Sequence, residues 1–279
     1  MTGGVAHSAA AAGGSGWLPV LLVLAVGAGY LVAAVRARQT PVGWGGRRVA
    51  AFLTGIVLVA VALSPGLTAR AHHDLRIHMV QHLLVGMYAP LLLVSGRPAT
   101  LVLRSLPTRS RGPVAAVLRS RAAHLCGHPA TALVLNTGGL YLLYLTPLYG
   151  FTQASPGWHL AVQVHLLLAG YLLTWSIAGP DPAPRRAGLA VRTAVLVVAA
   201  GAHAVLAKLL YAYPDRWPPG TGAPTDDIED AARLMYYGGD VAEVCLAVLL
   251  FAAWYRRRGR RGRAPAPPAT AGRRAAEPA

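Results

Sequence analysis

The composition of the chain excludes an ordinary soluble domain. Of its 279 residues, 54% are apolar and only 13% are charged, and the mean hydropathy is +0.45. Both values are far from those of globular proteins in water. The formal net charge of +16 would suit a nucleic acid partner, but the basic residues lie in the stretches between long apolar segments. We therefore predict a membrane protein that binds no nucleic acid.

Seven apolar segments are long enough to cross a bilayer as helices. A membrane helix needs about 20 largely apolar residues to span a hydrocarbon layer of roughly 30 Å. The predicted segments are Trp17–Val35, Val49–Pro65, Ile77–Gly96, Leu125–Leu145, Trp158–Ala178, Thr193–Leu210 and Met235–Tyr255. The fourth is the least regular, because Asn136 and the three residues after it interrupt its apolar run. The sequence thus predicts an all-α, polytopic membrane bundle of about seven transmembrane helices, or six if the fourth segment does not cross.

The distribution of basic residues predicts the orientation. Of the 26 arginine and lysine residues, 21 lie in the first, third and fifth loops and after the last apolar segment. The positive-inside rule then places the amino terminus outside and the carboxyl terminus in the cytoplasm, as in a multi-pass membrane protein. Residues 1–16 form a short extracytoplasmic terminus and residues 17–255 the membrane domain. Residues 256–279 form a basic tail, which we expect to be disordered and attracted to anionic membrane lipid.

The two cysteines indicate no disulfide. Cys126 is expected near the cytoplasmic face and Cys245 near mid-membrane, too far apart to be bridged. The sequence contains no Cys-X-X-Cys motif, which many soluble copper or zinc carriers use. Any bound metal would therefore be held by histidine, methionine or carboxylate.

The third apolar segment begins with an unusual polar motif, His-Met-Val-Gln-His at residues 78–82. Residues four apart in a helix lie on one face, one turn from each other. His78 and His82, with the amide of Gln81 between them, can therefore point into the same crevice. This is a spacing typical of metal ligands.

Four polar residues on four predicted helices lie at a similar depth. Counting about 1.5 Å of helix rise per residue, His82, His165, His203 and Asp240 fall roughly 7–10 Å inside the predicted outer boundary. Polar groups at this depth usually face the bundle interior or a cavity. With His78 just above them, these residues are the predicted metal ligands.

Neighbouring polar residues leave alternatives open. His159 and His165 are six positions apart, about 240° around a helix, so both cannot face one small site, and we predict that the deeper His165 does. Glu243 lies one turn below Asp240. Either carboxylate can instead pair with Lys208, the only lysine of the chain, which would be a purely structural role.

Several motifs together resemble the CtaG-like cytochrome c oxidase assembly factor family, a group of bacterial polytopic membrane proteins. The resemblance covers residues 17–255, and the first of its motifs is the most specific. The motifs are His78-Met79-Val80-Gln81-His82, Ala89-Pro90-Leu91-Leu92, Gly96-Arg97-Pro98, His128-Pro129, Leu145-Thr146-Pro147-Leu148-Tyr149, Gly179-Pro180-Asp181-Pro182 and Tyr236-Tyr237-Gly238-Gly239-Asp240.

The resemblance implies a helper in the maturation of the haem-copper terminal oxidase. Its partners would be the cytochrome c oxidase subunits, and its cargo would be copper, held briefly in the outer leaflet. By motif match, His78 and His82 are the implied functional residues, followed by His165, His203 and Asp240. Imidazole and carboxylate suit Cu(II), whereas Cu(I) would favour a thioether such as that of Met79.

Other classes of function stay open at this point. Histidine pairs on two helices can hold a b-type haem, which would make the chain a membrane redox protein. Asp240, Glu243 and Lys208 can instead serve an ion or proton transporter. A retinal protein ranks last, because Lys208 lies near the outer boundary. An enzyme is disfavoured, because the polar residues provide no nucleophile, base and oxyanion arrangement.

Overall fold

The computed structural model describes residues 16–118, 120–181 and 186–261, and within these ranges every regular element is helical. We number the helices in chain order and treat Leu75–Ser95 as one helix with an internal π-helical turn. The helices are α1 Leu18–Arg38, α2 Gly46–Ala62, α3 Pro65–Ala71, α4 Leu75–Ser95, α5 Pro98–Ser105, α6 Thr108–Leu118, α7 Arg121–Cys126, α8 Pro129–Leu145, α9 Leu148–Ala154, α10 Pro156–Ala178, α11 Leu189–Ala212 and α12 Thr225–Arg261.

The helix lengths confirm the predicted all-α membrane bundle. Helices α1, α4, α10, α11 and α12 are each long and apolar enough to cross a membrane. Two further pairs, α2 with α3 and α8 with α9, pass the same test when each pair is taken together. They are bent at the break between their helices, by 54° and 76° respectively. Counting each bent pair as one span gives seven. The termini of α1, α4 and α10 agree with the predicted segments within three residues.

Several predicted boundaries differ from the structure, most of all the start of α12 at Thr225, ten residues before the predicted Met235. The fourth segment does not begin at Leu125, which belongs to α7, but at Pro129, where proline suits the first turn of a helix and His128 caps it. Helix α12 runs through Arg261, six residues into the predicted tail. Asp226 and Asp227 in its first turn favour the amino-terminal end of the helix dipole. The predicted extracytoplasmic residues 1–15 and the tail beyond residue 261 lie outside the described residues.

Helix α4 is the central element of the bundle. It packs against α2, α10 and α12, while α11 pairs with α12, α8 packs on α10, and α1 contacts mainly α2 and α5. Of the most apolar stretch of α4, 67% is buried within the protein, against 22–44% for the other four long helices. Polar side chains on α4 are therefore shielded from lipid on most sides.

A π-helical turn over Leu84–Tyr88 divides α4. Pro90 follows it and has no N–H to give to the carbonyl of Gly86, four residues earlier. That carbonyl lies against Gly170 of α10, where a Cβ atom would collide with its oxygen. The Tyr88 hydroxyl donates a hydrogen bond of 2.8 Å to the Gly238 carbonyl of α12. The π turn thus fixes α4 to two neighbouring helices just below His82, and such turns are frequent at functional sites.

The contact between Gly86 and Gly170 predicts a strong effect of one methyl group. We expect Gly170→Ala to lower the free energy of unfolding by roughly 1–3 kcal/mol, because the backbones of α4 and α10 must separate. Thermal unfolding of the detergent-purified protein measures the change. Gly138→Ala is the matched control, since nothing lies within 4 Å of the added Cβ atom, and equal melting of the two variants would contradict the close crossing.

Candidate functional site

His78 and His82 lie on the inward face of α4, as their spacing predicts. Helix α4 begins after Asp74, whose carboxylate accepts a hydrogen bond of 2.8 Å from the Arg76 backbone N–H. The guanidinium of Arg76 also holds the pKa of the Asp74 carboxyl below its ordinary value. From this start the two histidines fall one turn apart, with only 2% of His78 and 1% of His82 exposed.

Three imidazoles form an entry group of His72, His78 and His159. His72 follows the last residue of α3 and is only half-buried, whereas His159 lies in the first turn of α10 and is buried. The ring centroids of His72 and His159 are 4.8 Å apart, and those of His78 and His159 are 5.8 Å apart. The group thus leads from the partly accessible ring of His72, just after α3, to the buried ring of His78 on α4.

One turn along α4, a second set forms an inner group of His82, His203 and Glu243. The ring centroids of His82 and His203 are 6.1 Å apart. Glu243 Oε1 lies 3.5 Å from His203 Nδ1. Gly239 of α12 makes this approach possible, because a Cβ atom there would collide with the His203 ring. Three helices, α4, α11 and α12, therefore contribute to the inner group.

Tyr144 of α8 connects the two groups. Its fully buried ring lies edge-on to His78 and to His82, with a centroid distance of 6.2 Å in each case. The Tyr144 hydroxyl lies 3.8 Å from the sulfur of Met79. A continuous series of polar side chains therefore runs from the His72 ring to the Glu243 carboxylate, with the thioether of Met79 beside it.

Many nitrogens of this series are buried without a hydrogen-bond partner among the described residues. Both ring nitrogens of His78 and of His82 have none, nor do Nδ1 of His159 and Nε2 of His203. Leaving a buried polar atom unpaired costs roughly 1–3 kcal/mol, so such atoms usually serve a ligand, an ion or a water molecule. This is the feature that sets the site apart from ordinary interhelical packing.

A narrow cavity adjoins the inner group. His82, His203 and Glu243 line it together with apolar residues of α4, α8, α10 and α11, and Met87 lies on its wall. It offers about 40 Å³ to the centres of water-sized molecules, while one water needs about 10–15 Å³ of such space. The cavity can therefore hold a few waters or a small ion.

The prediction that His165 faces the site is wrong. His165 is exposed on the side of α10, where its Nε2 lies 3.1 Å from the Leu135 carbonyl of α8. His159 faces the interior instead, with Gln163 one turn further along the same buried face. Depth alone favoured His165, but depth does not determine which face of a helix packs inward.

The carboxylate beside His203 is Glu243 rather than the predicted Asp240. Asp240 is half-buried one turn away on α12, and the longer Glu243 side chain reaches the imidazole. Lys208 is exposed, with its ammonium 5.4 Å from the centre of the Tyr236 ring. The alternative pairing of Lys208 with Asp240 or Glu243 is not among the ion pairs of the described residues.

The structure therefore brings three of the five predicted ligands, His78, His82 and His203, onto one path. Within the described ranges, no three side chains of His, Cys, Asp or Glu converge closely enough to hold a metal ion as placed. Sequence reasoning rejected His159 in favour of His165 and did not consider Gln163. A signal for them exists, because their spacing of four repeats that of His78 and His82.

Comparison with known proteins decides the family. A family model described as cytochrome c oxidase caa3 assembly factor matches residues 28–257. The chain belongs to this family. The matched region contains the entry group, the inner group and the π turn, so the resemblance carried by the sequence motifs is confirmed. The family is one of assembly factors, which implies a non-catalytic role.

The chain also has similar proteins in mycobacteria. A protein of Mycobacterium leprae is 32% identical over 188 residues, which cover 65% of this chain and 28% of that protein. Proteins of Mycobacterium bovis and Mycobacterium tuberculosis are each 34% identical over 192 residues, covering 66% of this chain and 28% of theirs. All three are described as uncharacterised. The chain thus spans a little over a quarter of the length of these relatives. No solved structure matches the chain.

The reversal of His159 and His165 predicts a measurable difference in stability. We expect His159→Ala to lower the free energy of unfolding by roughly 2–4 kcal/mol, because it leaves a buried gap and removes the partner of Gln163. We expect His165→Ala to cost under about 1 kcal/mol, since an exposed ring is lost. Thermal unfolding in detergent compares the two, and a larger loss for His165→Ala would contradict the placement.

Proposed function

We propose that this assembly factor handles copper for cytochrome c oxidase and passes the ion along the series from the entry group to the inner group. The observation that carries the proposal is the set of buried, unpartnered nitrogens on His78, His82 and His203. In this family, an ion destined for the oxidase is the simplest ligand for them. The oxidase subunits are then the recipients, and membrane lipid surrounds the bundle.

The donors of the inner group fit a copper ion chemically. Two imidazoles and a carboxylate suit Cu(II). A metal lies about 2 Å from each imidazole nitrogen, so two rings that share it have centroids roughly 5–6 Å apart. The His82 and His203 rings are 6.1 Å apart, close to the upper end of this range, so a shared ion requires a small approach of the two rings. Glu243 behind His203 would orient the ring, as carboxylates commonly do for metal-bound histidines.

The loose arrangement of the donors suits a carrier better than a storage site. A resident metal is held by three or four converging ligands, whereas these side chains are spread over two groups. An ion would be held by few ligands at a time and would leave readily. Met79 beside Tyr144 adds a thioether on the same route, which is the donor that Cu(I) favours.

The geometry favours an ion over the alternative ligands. A porphyrin needs a pocket of at least several hundred Å³, far more than the cavity beside His82 and His203 offers. A transporter based on Lys208 has less support, because its ammonium lies over Tyr236 and away from the carboxylates. We place this non-enzymatic factor in the bacterial cell membrane, with the entry group on the extracytoplasmic side.

Copper titration of the detergent-purified protein tests the proposal. We expect Glu243→Gln to weaken copper binding by roughly 10–100-fold, because Glu243 orients the His203 ring. His82→Ala and His203→Ala should weaken it at least as much, because each removes a ligand of the ion. Asp240→Asn, on the same helix as Glu243, and His165→Ala, an exposed histidine on α10, are controls that should bind copper like the wild type. Equal binding by all five variants, or no binding by the wild type, would sink the copper role.

Oxidase maturation in cells separates delivery from a scaffold role. In a bacterial host that lacks its own family member, we expect His82→Ala to give membranes with normal amounts of the factor but low oxidase activity. Excess copper in the medium should restore that activity, because mass action then compensates for a weaker carrier. A deficit that copper does not relieve would point to a metal-independent scaffold.

A further inference from the structure

We propose that Gln81 and Gln163 form an amide relay that fixes His159 with its proton on Nδ1, so that His159 positions the entry group without binding the ion. The route of the ion rests on the proposed function, whereas the protonation of His159 follows from hydrogen bonds alone. The relay connects α2, α4 and α10.

The fixed end of the relay is the carbonyl of Ala62. Ala62 is the last residue of α2, and a carbonyl at a helix end lacks the N–H that the next turn would supply. The side-chain nitrogen of Gln81 donates to it over 2.7 Å. Its other proton lies toward Thr68 Oγ1, 3.2 Å away. Because a carbonyl can only accept, the amide of Gln81 has one possible orientation.

The orientation of Gln81 determines that of Gln163. With its nitrogen turned to Ala62, Gln81 presents Oε1 to α10, where Gln163 Nε2 donates to it over 3.3 Å. A flipped Gln163 would bring two carbonyl oxygens together at this distance and leave both of them and its own NH₂ group without these hydrogen bonds. The present orientation makes both contacts and leaves only Gln163 Oε1 without a partner among the described residues, which costs less. Both amides, 0% and 2% exposed, are thus held in one arrangement.

The last step sets the proton on His159. The same Gln163 nitrogen lies 3.3 Å from His159 Nε2. An amide N–H can only donate, so Nε2 must offer its lone pair, and a neutral imidazole then carries its proton on Nδ1. Neither ring nitrogen of His159 keeps a free lone pair for a metal.

This assignment changes the roles within the entry group. His78, 5.8 Å from His159 between ring centroids, has both nitrogens unpartnered and always retains one lone pair. His159 offers an N–H instead, which repels a cation from α10. The ion is thereby directed to His78 and along α4, and it is not trapped by a third imidazole at the entrance.

Nitrogen NMR of histidine side chains tests the relay in metal-free protein. At alkaline pH, where imidazoles are neutral, we expect one buried histidine with a protonated Nδ1 and an acceptor Nε2. Its signals should be absent in His159→Gln, which assigns them. A proton on Nε2 of His159 in the wild type would overturn the proposal, whether or not any variant folds.

Substitutions of glutamine residues provide a second test of the protonation state of His159. Gln163→Leu should abolish the single protonation state of His159. Gln153→Leu, a matched control that removes the amide facing His72, should leave it intact. Loading with diamagnetic copper(I) should shift the signals of His78 and leave the Nδ1 proton of His159 in place, and loss of that proton on loading would contradict the inference. If the protein takes up no copper, the proposed function fails while the metal-free result still decides the relay.

Discussion

Polar groups inside a bilayer have no water to bind, so each must find its partner within the protein. Helix α4 concentrates this constraint, because three polar side chains, His78, Gln81 and His82, lie within five residues on its buried face. Among the described residues, the surrounding helices supply hydrogen-bond partners to only one of these three side chains. Gln81 is fully paired, with two donated hydrogen bonds and one accepted. The two histidines are not, and this imbalance on one helix separates the structural amide from the candidate ligands.

The glycines of the bundle serve the same arrangement. Association of membrane helices depends on close packing, and small residues allow backbones to approach. Gly170 admits the π turn of α4, while Gly239 admits the ring of His203. In both places the space that a side chain would fill is occupied by a group of the site or its support. The small residues of this protein are therefore best understood as parts of the site as well as of the packing.

The sequence predicted an all-helical membrane bundle and the ends of α1, α4 and α10 within three residues, because bilayer thickness sets helix length directly. It also placed His78 and His82 on one face, since that inference uses only helical periodicity. It failed at His165 and Asp240, where the choice between faces matters. Helices α10 and α12 are apolar around most of their circumference, with Val164, Leu168 and Val244 exposed, so no polar face marks the lipid side. The neighbouring helices determine which face packs inward, and the sequence of a helix that is apolar on most sides does not reveal that face.

The bend between α2 and α3 has a consequence beyond the shape of the second span. A straight helix through this region would use the Ala62 carbonyl for its own backbone hydrogen bonds and deprive Gln81 of its shortest hydrogen bond. The break after Ala62 therefore provides one acceptor at a fixed depth, and the hydrogen bond from Gln81 to it fixes the axial position and the rotation of α4. Substitutions of the lipid-facing side chains of this span leave the Ala62 acceptor in place, whereas straightening the span would remove it and, with it, the register of α4.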